Sequence, residues 1–253
     1  MPQFIDQLQR TIALPGPPNR IISLVPSQTE LLVDLGLRDK LVGITKFCVH
    51  PNGLKKEKVV IGGTKNFHFD KIDALRPDLI IANKEENYKE GIEKLAGKYP
   101  VWISDINNLE DAYQMILSLG EMTGSIPIAS QIVADIRKGL DKDFHFKGTA
   151  VYLIWNEPLI AVGSDTYIDS MLEKAGFKNI IQQRRYPEIR KEDLFQLNPD
   201  YLLLSSEPFP FREKHLTVFR DILPKSNIRI VDGEMFSWYG SRLLRSAKYF
   251  ETF

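Results

Sequence analysis

The sequence predicts an α/β protein of two lobes, each built around a parallel sheet, with a long helical segment joining them. Three observations predict this class. Short apolar strands alternate with amphipathic helices in both halves of the chain, the middle is helical, and two stretches 122 residues apart are alike. We expect a first lobe over residues 1–108, a bridging helical segment over 109–146 and a second lobe over 147–253.

The first lobe is predicted to open with a buried strand at residues 21–25, which Pro26 ends. Ser27 and Glu30 have the spacing of a capping box, and leucines at the helical period continue to Gly36. Because strands and helices then alternate, we expect a parallel sheet with helices on both faces. The later strands are predicted in KLVGIT, KVVIGG, DLIIA and PVWIS, with a helix in NYKEGIEKLAGKY.

The bridging segment is predicted as two amphipathic helices, of which the first ends at Gly124. The second lobe then resumes the alternation of strands and helices, with strands in TAVYLIW, DYLLLS and IRIV and a last helix from about Gly240. The apolar stripe of the second bridging helix consists of Ile128, Ile132, Val133, Ile136 and Leu140.

The internal repeat relates FDKIDALRPDLIIAN to KEDLFQLNPDYLLLS and pairs Asp70 with Glu192. Two interpretations are open. The repeat indicates two related lobes, or it is only a common way to connect a helix to a strand. The second interpretation accounts for Pro77 and Pro199, since proline disfavours helix at the preceding residue. It does not require an acid at the same upstream position in both halves.

The composition limits the class of partner. The chain is 43% hydrophobic and 26% charged, as in ordinary globular proteins. Lys+Arg and Asp+Glu are 33 each, so nothing predicts a nucleic-acid or anionic-membrane partner. No apolar run reaches the roughly 18 residues of a membrane span. The N-terminus has no apolar signal region, so the expectation is either that the chain works in the cytosol or that a signal was removed ahead of residue 1.

Aromatic side chains recur where the predicted strands end. Ligands of open α/β sheets bind beyond the carboxyl ends of the strands. A ring that stays half exposed forgoes about 2 kcal/mol of burial free energy, and a ligand that covers the ring would recover this free energy. Core packing between the lobes is the alternative for any single ring, but the clustering favours a ligand cleft between the lobes. The rings concerned are Phe47, Phe67, Trp155, Tyr186, Phe236, Trp238 and Tyr239.

Arg242 follows these rings in the expected first turn of the last helix. A cation there opposes the helix dipole, so Arg242 is expected to need an acidic partner, either in the protein or in a ligand.

Few residues indicate metal binding or catalysis. Cys48 and His50 on one loop, with His68 as a third donor, could hold a metal, but the four-fold spacing of a zinc site is missing. A buried thiol and two surface imidazoles are the alternative, and His50 or His68 remains a candidate axial contact to a metal-bearing ligand. No phosphate-binding loop, metalloprotease motif or nucleophile elbow occurs. We therefore predict no catalytic residue, no enzyme activity and no resident cofactor.

Four segments, RIISLVPSQTELL, DKIDALRPDLIIA, VGSDTYIDSMLEKAG and EDLFQLNPDYLLL, resemble class III substrate-binding proteins of ABC importers. The likeness covers nearly the whole chain and is greatest to the vitamin B12 binders and their siderophore- and haem-binding relatives, the helical-backbone metal receptors. The resemblance implies two Rossmann-like lobes joined by a long backbone helix, with the ligand in a cleft between them. It also implies a monomer in the periplasm or cell envelope that passes a corrinoid or other metal chelate to a permease dimer with its ATPase.

The resemblance also implies roles for particular residues. Asp70 and Glu192 match the acids that dock on the permease, although helix N-terminal acids are also favoured by the macrodipole. Where B12 binders place a tryptophan, this chain has Thr64 or Lys65. This polar stretch, which continues to Asn66, suits a ligand with carboxylate or phosphate groups, oriented by Lys65 and Arg242. The alternatives are a ferric siderophore or haem binder, and a cytosolic tetrapyrrole- or metal-handling enzyme or chaperone of chelatase-like fold.

Overall fold

The computed structural model describes residues 1–142 and 144–253, which divide into two units by their contacts. The first unit comprises Met1–Ile106, Glu110–Asp135 and Tyr239–Arg242, and the second comprises Asn107–Leu109, Ile136–Trp238 and Leu243–Phe253. These units differ from the predicted boundaries in two ways. Most of the bridging segment belongs to the first unit, and a short C-terminal stretch returns to it.

The first unit contains a five-stranded parallel sheet, as predicted. Its strands are β3 (Ile21–Ser23), β4 (Leu41–Ile44), β5 (Val59–Val60), β6 (Leu79–Asn83) and β7 (Val101–Ser104), which follow β1 (Gln3–Ile5) and β2 (Thr11–Ala13), a separate antiparallel pair. The order across the sheet is β5-β4-β3-β6-β7. The chain therefore runs from β3 to β4 and β5 on one side of the sheet, and then crosses to β6 and β7 on the other side. In open α/β sheets, such a change of direction is where a binding crevice forms at the strand ends.

Helices connect these strands: α1 (Pro26–Asp34), α2 (Leu54–Glu57), α3 (Phe69–Leu75) and α4 (Lys89–Ala96), with a short 3-10 helix at Arg38–Lys40. Helix α1 begins two residues earlier than predicted, with Val25 rather than Ser27 at the N-cap and proline in the first turn. The predicted capping box of Ser27 and Glu30 is therefore wrong, because both residues already lie inside the helix. Proline suits this position because its missing N–H would have no partner there.

The bridging segment consists of two helices of 15 residues each, α5 (Leu109–Thr123) and α6 (Ile126–Leu140). The resemblance implies one long helix, but Gly124 interrupts it with a φ of 73°, in the left-handed region. Helix α5 is fixed to the first unit by the Gln7 side chain, whose amide donates to the Asp111 carbonyl at 2.8 Å. The boundary between the units lies inside α6, after Asp135.

The sheet of the second unit is mixed rather than parallel. Its strands are β8 (Gly148–Trp155), β9 (Leu159–Ala161), β10 (Phe177–Asn179), β11 (Glu188–Ile189), β12 (Tyr201–Ser205) and β13 (Asn227–Val231). Strands β10, β12 and β13 extend the sheet in parallel, but β8 pairs with β9, and β9 with β11, in antiparallel fashion. The short turn at residues 156–158 explains the difference, since a parallel connection needs a crossover of a dozen or more residues.

The helices of the second unit are α7 (Tyr167–Lys174), α8 (Lys191–Leu197), α9 (Glu213–Ile222), α10 (Glu234–Ser237) and α11 (Leu243–Phe250). Helix α7 begins at an N-cap threonine, Thr166, whose Oγ1 accepts from the Asp169 backbone N–H at 3.1 Å. This bond satisfies one of the backbone donors that the first turn of a helix leaves unpaired.

The internal repeat is present in the structure as repeated local geometry. Helices α3 and α8 have the same length, and β6 and β12 begin and end 122 residues apart. Each helix ends on a left-handed residue, Arg76 with a φ of 45° and Asn198 with a φ of 42°.

The acids after the repeated prolines have equivalent roles. Asp78 accepts from the backbone N–H groups of Asn19 and Arg20, both at 2.8 Å. Asp200 accepts from the backbone N–H and the hydroxyl of Thr149, both at 2.7 Å. Each acid therefore bonds the residues at or just before the start of a neighbouring strand, β3 or β8, which explains why proline–aspartate occurs in both halves.

Candidate ligand-binding site

A tight loop at residues 62–67 follows β5 in the first unit. Gly62 has a φ of 119°, and it forms an isolated antiparallel bridge with Phe67 that closes the loop. The Gly62 carbonyl accepts from the Lys46 N–H at 2.8 Å, and the Thr64 carbonyl accepts from the Asn87 side-chain amide at 2.9 Å. These bonds anchor the loop, with Thr64 half-buried and Lys65 and Asn66 exposed at the tip.

The ring of Phe47 lies against this loop. A Cβ built on Gly63 would clash with Asn66 Oδ1 and lie 3.3 Å from Phe47 Cε2, so the absence of a side chain at Gly63 allows this approach. Lys46 Nζ is 5.0 Å from the centroid of the Phe47 ring. We call Lys46, Phe47, Lys65 and Asn66 the first-unit surface, because it presents a ring and two ammonium groups on one pair of loops.

Phe67 and Cys48 belong to the core of the first unit instead. The buried Phe67 ring stacks on Tyr88 at 4.9 Å, so the prediction that it faces a ligand is wrong. Cys48 Sγ lies 3.1 Å from Thr29 Oγ1 and 3.3 Å from Thr45 Oγ1. Burial raises the pKa of the Cys48 thiol, which disfavours the thiolate that a metal would need.

The two histidines proposed with Cys48 are in different surroundings. His50 is half-buried, whereas His68 is exposed and precedes α3 as its N-cap. Among the residues that the structure describes, no three His, Cys, Asp or Glu side chains group in a way that could hold a metal ion. The structure does not assemble a metal site from Cys48, His50 and His68.

Two predicted rings are exposed in the second unit. Trp155 ends β8 and makes a T-shaped contact with Phe209, with the ring centroids 5.7 Å apart. Tyr186 lies on the loop before β11. Two backbone hydrogen bonds anchor this loop, because its carbonyl groups accept from the N–H groups of residues 161 and 163 at 3.0 and 2.8 Å. The guanidinium of Arg185 is 5.5 Å from the Tyr186 ring centroid. Phe47, Trp155 and Tyr186 are 50%, 39% and 36% exposed.

The segment from Asp232 to Leu243, which carries four of the predicted contacts, is largely buried. Phe236 is enclosed by Tyr152 and the rings of α11, so it is a core residue and its prediction as a ligand contact is wrong. The buried Trp238 indole donates to Glu207 Oε1 at 3.0 Å, and the Ser237 hydroxyl donates to the same oxygen at 2.6 Å. Burial raises the pKa of the Glu207 carboxyl above its usual range.

Tyr239 and Arg242 are bonded inside the first unit. The Tyr239 hydroxyl donates to Glu86 Oε1 at 2.9 Å. Arg242 donates to both carboxylate oxygens of Glu30, at 2.9 and 2.7 Å, and both side chains are buried. The acidic partner that Arg242 was expected to need is therefore in the protein. Trp238, Tyr239 and Arg242 are therefore buried, and each bonds a carboxylate of the protein.

Sequence reasoning missed the basic residues beside the exposed rings. Lys46 precedes Phe47 in TKFC, and Arg185 precedes Tyr186 in RRYPE. A basic residue directly before an aromatic one at a strand end is a signal that could have identified both.

The two acids predicted to dock on a permease are both exposed, each in the first turn of a helix of the repeat. Their neighbouring acids are used within the fold. Asp73 accepts from Lys98 and Tyr99, and Asp193 accepts from Arg190, and these contacts lower the pKa of both carboxyls. In the described part of the chain, Asp70 and Glu192 form no such hydrogen bond or ion pair.

Comparison with known proteins identifies the family. The sequence profile of the family described as periplasmic binding protein matches residues 21–221. The chain belongs to the periplasmic binding protein family. In the part of the chain that the structure describes, no helix has both the length and the apolar character that crossing a membrane requires.

Relatives within this family include an uncharacterized ABC transporter substrate-binding lipoprotein of Bacillus subtilis, 29% identical over 213 residues, which cover 78% of this chain and 67% of the relative. The vitamin B12-binding protein of Vibrio campbellii is 28% identical over 199 residues, covering 75% of this chain and 72% of that protein.

Solved structures of periplasmic binding proteins share the fold. A possible iron-binding periplasmic solute-binding protein of Staphylococcus epidermidis has a TM-score of 0.78 and 25% identity, over 93% of this chain and 98% of that one. A periplasmic haem-binding protein of Pseudomonas aeruginosa has a TM-score of 0.80 and 22% identity, over 93% and 92% of the two chains. These similarities confirm the predicted α/β fold class.

Proposed function

We propose that this chain is the substrate-binding protein of an ABC importer and that it captures a corrinoid or a related metal chelate for delivery to a permease. The observation that carries the proposal is the exposure of three rings at fixed positions: Phe47 and Tyr186 on loops that backbone bonds anchor, and Trp155 at the end of β8. Each exposed ring forgoes burial free energy of about 1–2 kcal/mol, which a flat apolar ligand would recover by covering it.

The basic groups near two of these rings define the ligand further. Lys46 and Lys65 belong to the first-unit surface with Phe47, and Arg185 contacts Tyr186. A macrocycle or chelate that carries carboxylate or phosphate groups would satisfy both the rings and the cations. Vitamin B12 is named for several relatives, so a corrinoid is the first candidate, and a ferric siderophore or haem is the second.

The proposed setting is the periplasm or cell envelope, where the protein acts as a monomer without a resident cofactor and without catalysing a reaction. The partner is a permease dimer with its ATPase, contacted through Asp70 and Glu192. Helices α3 and α8 occupy matching positions of the repeat and each carries one exposed acid in its first turn, which suits a partner of twofold symmetry that offers the same basic pocket twice.

Titration calorimetry with cyanocobalamin, cobinamide, haemin and a ferric hydroxamate tests the ligand. Phe47→Ala and Trp155→Ala should each weaken binding of the preferred compound at least about fivefold, or about 1 kcal/mol. The matched control is Phe146→Ala, since Phe146 is a 72% exposed ring outside the predicted ligand segments. Absence of binding by all four compounds would contradict the ligand class. Metal insertion into a porphyrin by the purified protein would favour a chelatase-like enzyme instead.

A further inference from the structure

Helix α8 exposes a large apolar side chain beside the proposed docking acid. Phe195 is 66% exposed, although it lies in a regular helix whose other apolar residues, Leu194 and Leu197, pack into the core of the second unit. Glu192 precedes Phe195 by three residues, so the two side chains lie on one face of the helix, with Cβ atoms about 5–6 Å apart. A carboxylate and a ring therefore face solvent together.

The repeat shows that this ring is not needed to build the local structure. The position equivalent to Phe195 in α3 is Asp73, which is polar and accepts from Lys98 at 2.7 Å and from Tyr99 at 2.6 Å. Helix α3 nevertheless has the same length, the same left-handed end and the same following strand as α8. An exposed phenylalanine at this position is thus a feature of the second unit alone.

The charges near Phe195 indicate what kind of partner covers it. Asp193 on the same helix is paired with Arg190 at 2.9 Å, whereas the Glu192 carboxylate beside the ring forms no hydrogen bond or ion pair in the described part of the chain. A partner surface with a basic group next to an apolar depression would complement both side chains. A twofold contact between copies of this chain would instead bring two Glu192 carboxylates together, which is unfavourable.

We propose that Phe195 is an apolar docking residue for the importer permease and inserts beside the basic pocket that receives Glu192. This inference rests on the proposed function. Its consequence is that the two docking helices are not equivalent. The first contributes a charge through Asp70, whereas the second contributes a charge and a ring.

Association of the protein with its permease–ATPase complex in nanodiscs tests the proposal, with cyanocobalamin present and absent. Phe195→Ser should weaken this association about tenfold or more, while the melting temperature and ligand affinity stay unchanged. Phe146→Ser removes an equally exposed ring elsewhere in the second unit and should have no effect. Glu192→Lys, as the docking control, should abolish association.

The outcomes separate this inference from the function beneath it. Normal association of Phe195→Ser, with association lost in Glu192→Lys, would overturn the role of Phe195 and leave acid-mediated docking intact. Normal association of both variants would remove the docking proposal as well. A wild-type dimer in solution that Phe195→Ser converts to a monomer would assign the ring to self-association and also overturn the inference.

Discussion

The buried pair of Glu30 and Arg242 shows that the sequence can indicate the chemistry that a residue needs without locating its partner. The dipole argument correctly required an acid near Arg242. That acid lies 212 residues earlier in the chain, at a position that the sequence indicates as part of a capping box. Tyr239 similarly bonds Glu86, 153 residues away. Such distant partners cannot be found from local patterns, so the sequence alone does not show that Tyr239 and Arg242 are bonded within the protein.

Removing one partner of the Glu30–Arg242 pair should destabilise the folded protein. Glu30→Ala would leave the Arg242 guanidinium buried without its carboxylate, and we expect the free energy of unfolding to fall by about 3–5 kcal/mol in urea titrations. Replacing both residues by leucine should recover most of this loss. Glu57→Ala, which breaks the solvent-screened pair with Arg38, is the control and should lower the free energy of unfolding far less. Equal losses in Glu30→Ala and Glu57→Ala would contradict this account.

Glu207 should make stability depend on pH. Burial raises the pKa of the Glu207 carboxyl in the folded state. Its contribution to the free energy of unfolding is therefore complete below the pKa that Glu207 has in the unfolded chain, and it is lost as the pH rises through the pKa in the folded state. Glu207→Gln keeps an acceptor for Trp238 and Ser237 but cannot ionise. The stability of the wild-type protein relative to Glu207→Gln should therefore increase as pH falls from about 7 to about 5, measured by urea unfolding. A difference that does not change with pH would show that the carboxyl is not desolvated.

At the scale of elements, the repeat was the most informative signal in the sequence. It correctly predicted two helix–strand pairs and an acid in the first turn of each helix. The antiparallel hairpin of β8 and β9 was not predicted, because apolar runs do not show strand direction and only the length of the connecting turn does. The position of Gly124 predicted two bridging helices correctly, although the family resemblance implied one.

The repeat also allows a reciprocal test of backbone strain. Arg76 and Asn198 occupy equivalent left-handed positions, but asparagine adopts this conformation more readily than arginine. Arg76→Asn should raise the free energy of unfolding by roughly 0.5–1 kcal/mol, and Asn198→Arg should lower it by a similar amount. Chemical denaturation of both variants measures this. Changes of the same sign in both would mean that side-chain contacts outweigh the backbone term.

At the scale of the whole molecule, the α/β class, the division into two units and the family could be predicted from sequence. The boundaries could not, because the return of residues 239–242 to the first unit depends on the contacts of Tyr239 and Arg242. For the candidate site, the sequence indicates which rings follow the predicted strands along the chain. Whether a ring points to solvent, as Phe47 does, or inward, as Phe236 does, is decided by packing.

Docking and ligand capture should respond differently to charge reversal and to salt. Replacing Asp70 and Glu192 together by lysine would present cations to basic pockets, so association with the permease complex should be lost while the affinity for cyanocobalamin persists. Exposed charges are screened as ionic strength rises, so wild-type docking should weaken from about 0.05 M to about 0.5 M salt. Capture of cyanocobalamin by the exposed rings depends mainly on burial of apolar surface, so it should weaken less than docking over the same range. The matched control reverses Glu90 and Glu213, two first-turn acids of helices α4 and α9, and should dock normally. Loss of docking in that control as well would mean that overall charge rather than these two helices guides association, because a specific pocket distinguishes one carboxylate from another.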